Sequence, residues 1–385
     1  MIVAVDTHCI LPGQVGGIEN YTLGLIEALR LPESAAKKLI LLTRPENHSL
    51  FAPFADQQTE VVWLDRPRQN WDELRKYDPA VAASALREFQ HRKAEALRRF
   101  HVDVVHFPGN TVNPLNLDLP VVLNLHDLQH RHFPQYFSDI EIANREKWWV
   151  SSGQRADALI AGSNFIRDDL CKQLGVASSK VFVTPDVFQS AFFTRPAPVQ
   201  LAKIRKKYEL PEKFFIYPAA SWPHKNHERL IKAFDSAAIP GAQLILTGGG
   251  HEKTAVAKNV RCLGRVSTED LVGLYCLATA LVFPSQFESW SIPIMEAMAC
   301  GCPVASSNVT SLPEQVGSAG LLFDPTDIPA MAKIMQCLAG DPALRQTLSE
   351  QGLSRVRDFS PQNFIKTVGQ AYEFARKSHR MKKAA

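Results

Sequence analysis

Glu288 and Glu296, with seven residues between them in FESWSIPIMEAMACGCPV, are the side chains whose types and spacing point most directly to chemistry. The apolar, small-residue run MEAMACG predicts a buried helix starting near Ser291–Pro293, since Ser caps a helix and Pro suits its first positions. Glu296 is then expected in the first turn, with Glu288 just ahead of it. Two carboxylates would bracket the free N–H groups of a helix start, where an anion is welcome. That arrangement suits a sugar nucleotide. One carboxylate accepts hydrogen bonds from sugar hydroxyls, the other from ribose hydroxyls, and the helix end faces the diphosphate.

Other residues offer matching chemistry. Lys225-Asn226 closes AASWPHKN just before the amphipathic run HERLIKAF, and a lysine at a strand-to-helix turn is a natural diphosphate partner. Gly16-Gly17 follows the first apolar strand and opens a helix, so its backbone can approach a ligand closely. His126-Asp127 ends the strand VVLNLHD, with His130 and His132 close behind. The spacing His-x3-His-x-His matches no zinc-enzyme pattern, and capping or packing is the commoner role for such residues. His106 and Asn110, in VVHFPGNTVN, stand at another strand end and are candidates for an acceptor side, together with Asp127. No Asp-x-Asp sequence occurs, so no metal–diphosphate clamp of that type is expected. Cys300-Gly301-Cys302 has no second cysteine pair and reads as small buried thiols. Trp148-Trp149, after Arg145 and Lys147, reads as helix packing, with interfacial anchoring as the alternative.

The segment Phe287-Glu288-Ser289, Pro293, Glu296-Ala297-Met298-Ala299 and Gly301-Cys302-Pro303-Val304 resembles the nucleotide-sugar-binding segment of the retaining glycosyltransferases of family 4, also described as glycosyl transferases group 1. The resemblance implies a GT-B fold: two Rossmann-like, doubly wound α/β domains, an interdomain cleft, and a C-terminal helix returning to the first domain. It implies that Glu288 touches the donor sugar and Glu296 the ribose, and that the Ser289, Trp290, Ser291 and Ile292 stretch contacts sugar or phosphate through its backbone. Lys225, in its pair with Asn226, is implied to hold phosphate. Gly16 and Gly17 are implied to meet the donor diphosphate or the acceptor. His126 is implied to stand near the donor sugar, making His126, Glu288 and Lys225 the catalytic set, with His126 not a general base. Many members carry an arginine a few residues before the lysine. This chain has Ala220-Ser221-Trp222 there, so Ser221 and nearby backbone are expected to supply the contact, or Lys225 to carry more of it. Arg265, with the backbone of neighbours such as Val266, is the candidate for the nucleotide. The implied activity is metal-independent transfer, with no cofactor, of a hexose-type sugar from a nucleoside diphosphate to a hydroxyl of a glycan or lipid-linked acceptor. A GT-B epimerase, a phosphorylase and a non-catalytic sugar-nucleotide-binding subunit remain alternatives.

The elements that must position these residues follow from the pattern. At 385 residues the chain exceeds what one core organises, so two domains are expected. Short apolar strands (MIVAVD, KKLILLTR, VDVVHFP, PVVLNLHD, DALIAGS) alternate with helical stretches, which predicts a parallel sheet under helices. The Ala-, Arg- and Glu-rich stretch from Asn70 to Arg99 reads as helical. A second series begins at FFIYPAAS, continues through AQLILTGGG and NVRCLGRV, and reaches ALVFPS. Expected boundaries are 1–190 for an acceptor-side domain, 191–365 for a nucleotide-sugar domain and 366–385 for the returning helix. A net charge of +4 suits an anionic ligand or a peripheral visit to an anionic membrane, and falls short of a nucleic-acid-binding signature. Seven cysteines without framework spacing favour a reducing cytosol. The start MIVAVDTHCILPG lacks a basic region and a cleavage site, so no signal peptide is expected, and no apolar run is long enough to span a membrane. The expected location is cytoplasmic, with contact at the inner membrane face left open.

Overall fold

The computed structural model describes residues 1–13, 17–64, 79–250 and 258–384, without the side chains of 79–82. The chain forms two compact units. One contains Met1–Gly162, Ile166–Val187 and Pro361–Ala385, the other Ser163–Phe165 and Phe188–Ser360.

Seven parallel strands form the sheet of the first unit: β1 (Ile2–Asp6), β2 (Lys38–Thr43), β3 (Thr59–Trp63), β4 (Val104–Phe107), β5 (Val121–Asn124), β6 (Ala158–Ala161) and β7 (Val181–Val183). Their order is β3-β2-β1-β4-β5-β6-β7. β4, β5 and β6 are buried along their whole length, which is why they read as unbroken apolar runs and not as alternating ones. β1 lies between β2 and β4, with Val5 opposite both Leu41 and His106. The strand order reverses there, and in open sheets of this kind ligands bind beyond the carboxyl ends of the strands at that point. The helix α1 (Gly17–Leu29) follows β1, and Gly16 lies outside the described residues. Of the stretch 70–99, Pro79–Arg99 is helical, and 70–78 lies outside the described residues.

The second unit repeats the plan with six parallel strands: β8 (Phe214–Pro218), β9 (Gln243–Thr247), β10 (Val260–Cys262), β11 (Ala280–Phe283), β12 (Val304–Ser307) and β13 (Leu321–Phe323), ordered β10-β9-β8-β11-β12-β13. Its reversal lies between β8 and β11. After β8 comes α2 (His227–Ala237), which buries Leu230, Ile231, Ala233, Phe234 and Ala237 on one stripe. After β11 comes α3 (Ile292–Ala299), nearly all of it buried. Both helices start at the edge where the strand order reverses.

The last helix, α4 (Pro361–Ala384), belongs to the first unit. Its buried residues Phe364, Ile365, Val368, Ala371, Tyr372 and Ala375 recur at three- and four-residue intervals, giving one apolar face. Polar bonds fix its register. The Tyr372 hydroxyl lies 2.8 Å from His106 Nδ1, Lys382 Nζ donates to Asp157 Oδ1 at 2.8 Å, and Lys383 Nζ donates to Asp118 Oδ2 at 2.9 Å. Among the described residues no helix is long and apolar enough to cross a membrane.

Tyr372→Phe keeps the ring and removes the hydroxyl, leaving a buried imidazole nitrogen without its partner, a loss of about 1–3 kcal/mol. Amide hydrogen exchange should show lower protection in β4, β5 and α4, with the strands of the second unit unchanged. Equal protection in both proteins would show that the Tyr372–His106 contact does not hold α4 in place.

Candidate functional site

In the second unit the reversal brings two loops together. The β8 loop ends in a single 3-10 turn, Pro223–Lys225, and Asn226 then adopts a left-handed backbone (φ 62°) to enter α2. Asn is one of the few non-glycine residues that tolerate this conformation. Both N–H donors of its side chain are used, Nδ2 donating to the Pro284 and Pro325 carbonyls at 3.0 and 2.8 Å, while Oδ1 accepts from Arg229. This narrows the expectation for Asn226, whose buried amide staples loops and has neither N–H left for a ligand. The Lys225 backbone is held by Tyr217, whose hydroxyl donates to the Lys225 carbonyl at 2.9 Å, and the Gln286 N–H donates to the His224 carbonyl at 2.8 Å. The two loops thus set Lys225 Nζ 2.7 Å from Glu288 Oε1, with Lys225 19% and Glu288 10% exposed. A mostly buried cation and carboxylate are thus paired at the sheet edge where the strand order reverses.

The loop from Glu288 into α3 is clamped from a third segment. The Glu288 N–H donates to Thr310 Oγ1 at 3.1 Å, and Ser311 Oγ donates to the Glu288 carbonyl at 3.0 Å. Gln315 grips Ser291 twice, accepting its N–H at 2.9 Å and donating to its carbonyl at 2.6 Å. Ser291 occupies the N-cap position with extended backbone, but its hydroxyl makes no cap bond. Trp290 packs edge-on against Phe359, with ring centroids 5.1 Å apart. Ser289 stays partly exposed, and Ile292 is buried as the first helical residue. The N–H groups of this first turn have no intrahelical partner.

Glu296 does not lie in the first turn, because the helix begins at Ile292 and the glutamate is its fifth residue. The correction matters: Glu296 is 5% exposed, and its hydrogen-bond partner is Tyr275, whose hydroxyl donates to Oε2 at 3.2 Å. Burial pushes its carboxyl up to about 8, against the weaker opposing effect of that phenol. Glu288 has a cation beside it, and Glu296 has a phenol.

Beyond the neighbouring strands, Ser221 follows β8, Gly248–Gly250 follow β9 and Arg265 and Val266 follow β10. The Ser221 hydroxyl hydrogen-bonds the Gly250 carbonyl, and its N–H donates to the Gly249 carbonyl at 3.1 Å. Gly248 has φ +117°, and a Cβ there would come 2.8 Å from the Ala219 backbone, so the two loops touch only because the residue is glycine. Arg265 is exposed, with its guanidinium beside Gly249, and Val266 is half-buried.

In the first unit, His126 follows β5. Its N–H donates to Asn110 Oδ1 at 2.8 Å, and Nε2 donates to the Pro108 carbonyl at 2.8 Å, so in the neutral ring Nδ1 carries the lone pair. Tyr21 of α1 meets the ring edge-on at 5.3 Å. Asn110 therefore positions His126 and is itself 93% buried. Asp127 accepts the Gln129 N–H at 2.9 Å. Gly17 is exposed at the start of α1. His106 does not line a surface. It is fully buried, with Nδ1 on Tyr372 and Nε2 2.5 Å from Asn124 Oδ1, and burial takes it down to about 4. His130 pairs with Glu146 at 3.0 Å and His132 with Asp169 at 2.9 Å, so the three neighbouring histidines turn to different partners. Trp149 sits between His130 and Arg145, whose guanidinium lies 4.4 Å from the ring centre.

Sequence reasoning passed over Tyr217, Tyr275, Thr310, Ser311, Gln315 and the glycines after β9. Three glycines after an apolar run was the one visible signal; the others look like ordinary polar or aromatic residues until the fold brings them to the site.

A family model described as Glycosyltransferase Family 4 matches residues 15–186, and one described as Glycosyl transferases group 1 matches residues 201–355. O-antigen chain mannosyltransferase B of Escherichia coli is 30% identical over 378 residues, covering 93% of this chain and 96% of that one. Serotype-specific mannosyltransferase WbdA of Escherichia coli is 27% identical over 223 residues, which are 54% of this chain but 27% of that longer protein. Among solved structures, Anabaena Alr3699/HepE, in complex with UDP and glucose, is similar with a TM-score of 0.73 and 18% identity, over 96% of this chain and 98% of that one. WaaG, a glycosyltransferase involved in lipopolysaccharide biosynthesis, is similar with a TM-score of 0.68 and 14% identity, over 95% of this chain and 98% of that one. The two parallel-sheet units and the helical C-terminus are the GT-B fold, and with 30% identity along nearly the whole of an O-antigen mannosyltransferase, the chain belongs to glycosyltransferase family 4.

Proposed function

We propose that this glycosyltransferase moves a hexose, mannose in the first instance, from a nucleoside diphosphate to a hydroxyl of a growing polysaccharide, with retention of configuration and without a metal. The observation that carries the reading is the Lys225–Glu288 pair at 2.7 Å, set beside the start of α3 where the strand order reverses. The mannosyltransferase names of the relatives support the sugar and the polysaccharide setting.

In this reading Lys225 and the first N–H groups of α3 take the diphosphate, Glu288 takes the sugar hydroxyls, and Glu296 takes the ribose. The bond between the anomeric carbon and the phosphate oxygen breaks as the acceptor oxygen attacks from the same face. The acceptor proton passes to a phosphate oxygen of the leaving diphosphate. Lys225 acts mainly as negative charge builds on that leaving group, which concentrates its effect in the transition state. Glu288 holds the ammonium in place beforehand, so little reorganisation is needed when the donor arrives.

Lys225→Ala should weaken nucleoside diphosphate binding roughly tenfold to a hundredfold, the ~1.5–3 kcal/mol of a hydrogen bond to a charged group. Calorimetry on the folded variant measures it, and unchanged affinity would remove Lys225 from the site.

Glu296 gives a pH signature. Its carboxyl holds a proton in the fold up to about 8 and loses it near the ordinary glutamate value when unfolded, so it subtracts stability progressively as pH rises from about 4.5 to about 8. Glu296→Gln should therefore melt higher relative to the parent at pH 8.5 than at pH 5. Its nucleoside diphosphate affinity should be lower and should lack the parent's rise toward pH 8, because ribose hydroxyls bind the carboxylate best. Parallel pH curves for the two proteins would exclude this role.

Transfer should continue in excess chelator, and proton NMR of the first-formed product should show the donor's anomeric configuration. An inverted linkage, or activity restored only by a divalent cation, would overturn the proposed mechanism.

A further inference from the structure

Three of the seven cysteines lie about the C-terminal end of α3: Cys276 near the end of the helix Thr268–Leu277, Cys300 at the C-cap of α3, and Cys302 two residues before β12. Cys276 is half-buried, and the other two are buried. The Cys276 thiol donates to the Cys300 carbonyl at 3.8 Å, and its sulfur is within hydrogen-bonding reach of the Cys300 thiol. Cys300 Sγ also donates to the Phe192 carbonyl at 3.6 Å. Cys302 turns elsewhere, donating to the carbonyl of its neighbour Pro303 at 3.6 Å. Among the described residues no group of three or more His, Cys, Asp or Glu side chains is placed to hold a metal ion, so Cys276 and Cys300 are a pair of thiols and not part of a ligand set.

The two thiols are unequal. The hydrogen bond with Cys300 takes the Cys276 thiol below its ordinary value, burial opposes it, and the charge of Arg195 adds to the lowering. The same contact, together with burial, pushes the Cys300 thiol well above the ordinary value. The half-exposed sulfur is therefore both the better thiolate and the one a solute reaches, with a buried sulfur standing beside it. Neither has a part in the donor chemistry above.

The pair lies next to the contacts of Glu296. Tyr275, the neighbour of Cys276, donates to Glu296 Oε2 at 3.2 Å, and the Cys300 N–H donates to the Glu296 carbonyl at 3.0 Å. A bond between the two sulfurs pulls on both of these contacts at once. We propose that Cys276 and Cys300 form a dithiol site that hydroperoxides oxidise to a disulfide, and that this bond lowers nucleotide affinity through Tyr275 and Glu296. The Cys276 thiolate attacks the terminal oxygen of the hydroperoxide. The O–O bond breaks, the alcohol (water, for hydrogen peroxide) leaves with the proton that the thiol gave up, and Cys276 becomes a sulfenic acid. The Cys300 sulfur then attacks the sulfenic sulfur; the S–S bond forms, the S–O bond breaks, and water leaves with the Cys300 proton. Two thiols and one hydroperoxide thus give one disulfide, one alcohol and one water. The effect on affinity rests on the reading of Glu296 as the ribose ligand, and the bond itself does not.

The test uses the full chain carrying Cys337→Ser, which removes the exposed thiol and with it pairing between molecules. Hydrogen peroxide in slight excess, followed by alkylation and peptide mapping, should give a linked Cys276–Cys300 peptide that dithiothreitol separates. Calorimetry with GDP and UDP should show affinity about tenfold lower in the oxidised protein, the scale of one hydrogen bond to a carboxylate, and its return on reduction. Cys276→Ser, at a half-buried position, should bind nucleotide as the reduced parent does and lose the response to peroxide. A Cys276 that stops at sulfenic or sulfinic acid, a bond from it to another cysteine, a full peroxide response in Cys276→Ser, or a disulfide that leaves affinity unchanged would overturn the proposal. Should neither nucleotide bind the reduced protein, the transferase reading falls and the peptide map alone decides the dithiol site.

Discussion

A parallel sheet covered on both faces shuts water away from the polar groups buried in it, so each buried carboxylate, imidazole or amide there needs a partner in the protein. This constraint organises both units. In the first, Asp6 at the end of β1 is met by Lys93 and His8, and His106 on β4 is met by Tyr372 and Asn124. In the second, Asn226 is met by two proline carbonyls, and Ser307 at the end of β12 donates to the Ser285 carbonyl at 2.5 Å. The partners come from distant parts of the sequence. Tyr372 lies 266 residues from His106, which makes the C-terminal helix part of the core of the first unit.

The same constraint explains why two glutamates near one helix behave differently. Glu288 lies ahead of α3 on a loop that also meets the Lys225 turn, so a cation reaches it. Glu296 lies a full turn inside the helix against Tyr275, where a phenol can share a hydrogen bond but cannot cancel a charge. Desolvation therefore dominates at Glu296, and its carboxyl rises. A ligand with two hydroxyls would supply the hydrogen bonds that the free protein withholds.

Much of this was legible in the sequence because its signals are local. Strands β1, β2, β4, β5 and β6 are apolar runs, and the helix after FESWS is written in small and apolar residues. The edge strands were harder: β7 is three residues long, and β3 ends on an exposed tryptophan, so neither carries a full apolar run. In the candidate site, residue type was enough to single out Lys225 and Glu288, which the fold sets 2.7 Å apart. It was not enough where tertiary partners decide. His106 and Asn226 look like available polar side chains until the fold ties them to buried partners, and the position of Glu296 turned on where the helix starts.

Thr310, Ser311 and Gln315 show how such a site can be both fixed and adaptable. Their bonds to the 288–291 loop end on its backbone, so they set where its N–H and carbonyl groups lie without restricting which side chains the loop carries. Thr310 does this from a backbone at φ 53°, a conformation strained for a β-branched residue, with its hydroxyl accepting the Glu288 N–H. Substitutions at 289 or 292 could then alter what is recognised while leaving the helix start in place. Substitutions at 310, 311 or 315 would move every group on the loop together. Position and recognition are thus carried by different segments, and the first is held before any ligand arrives, as a site that relies on oriented N–H groups requires.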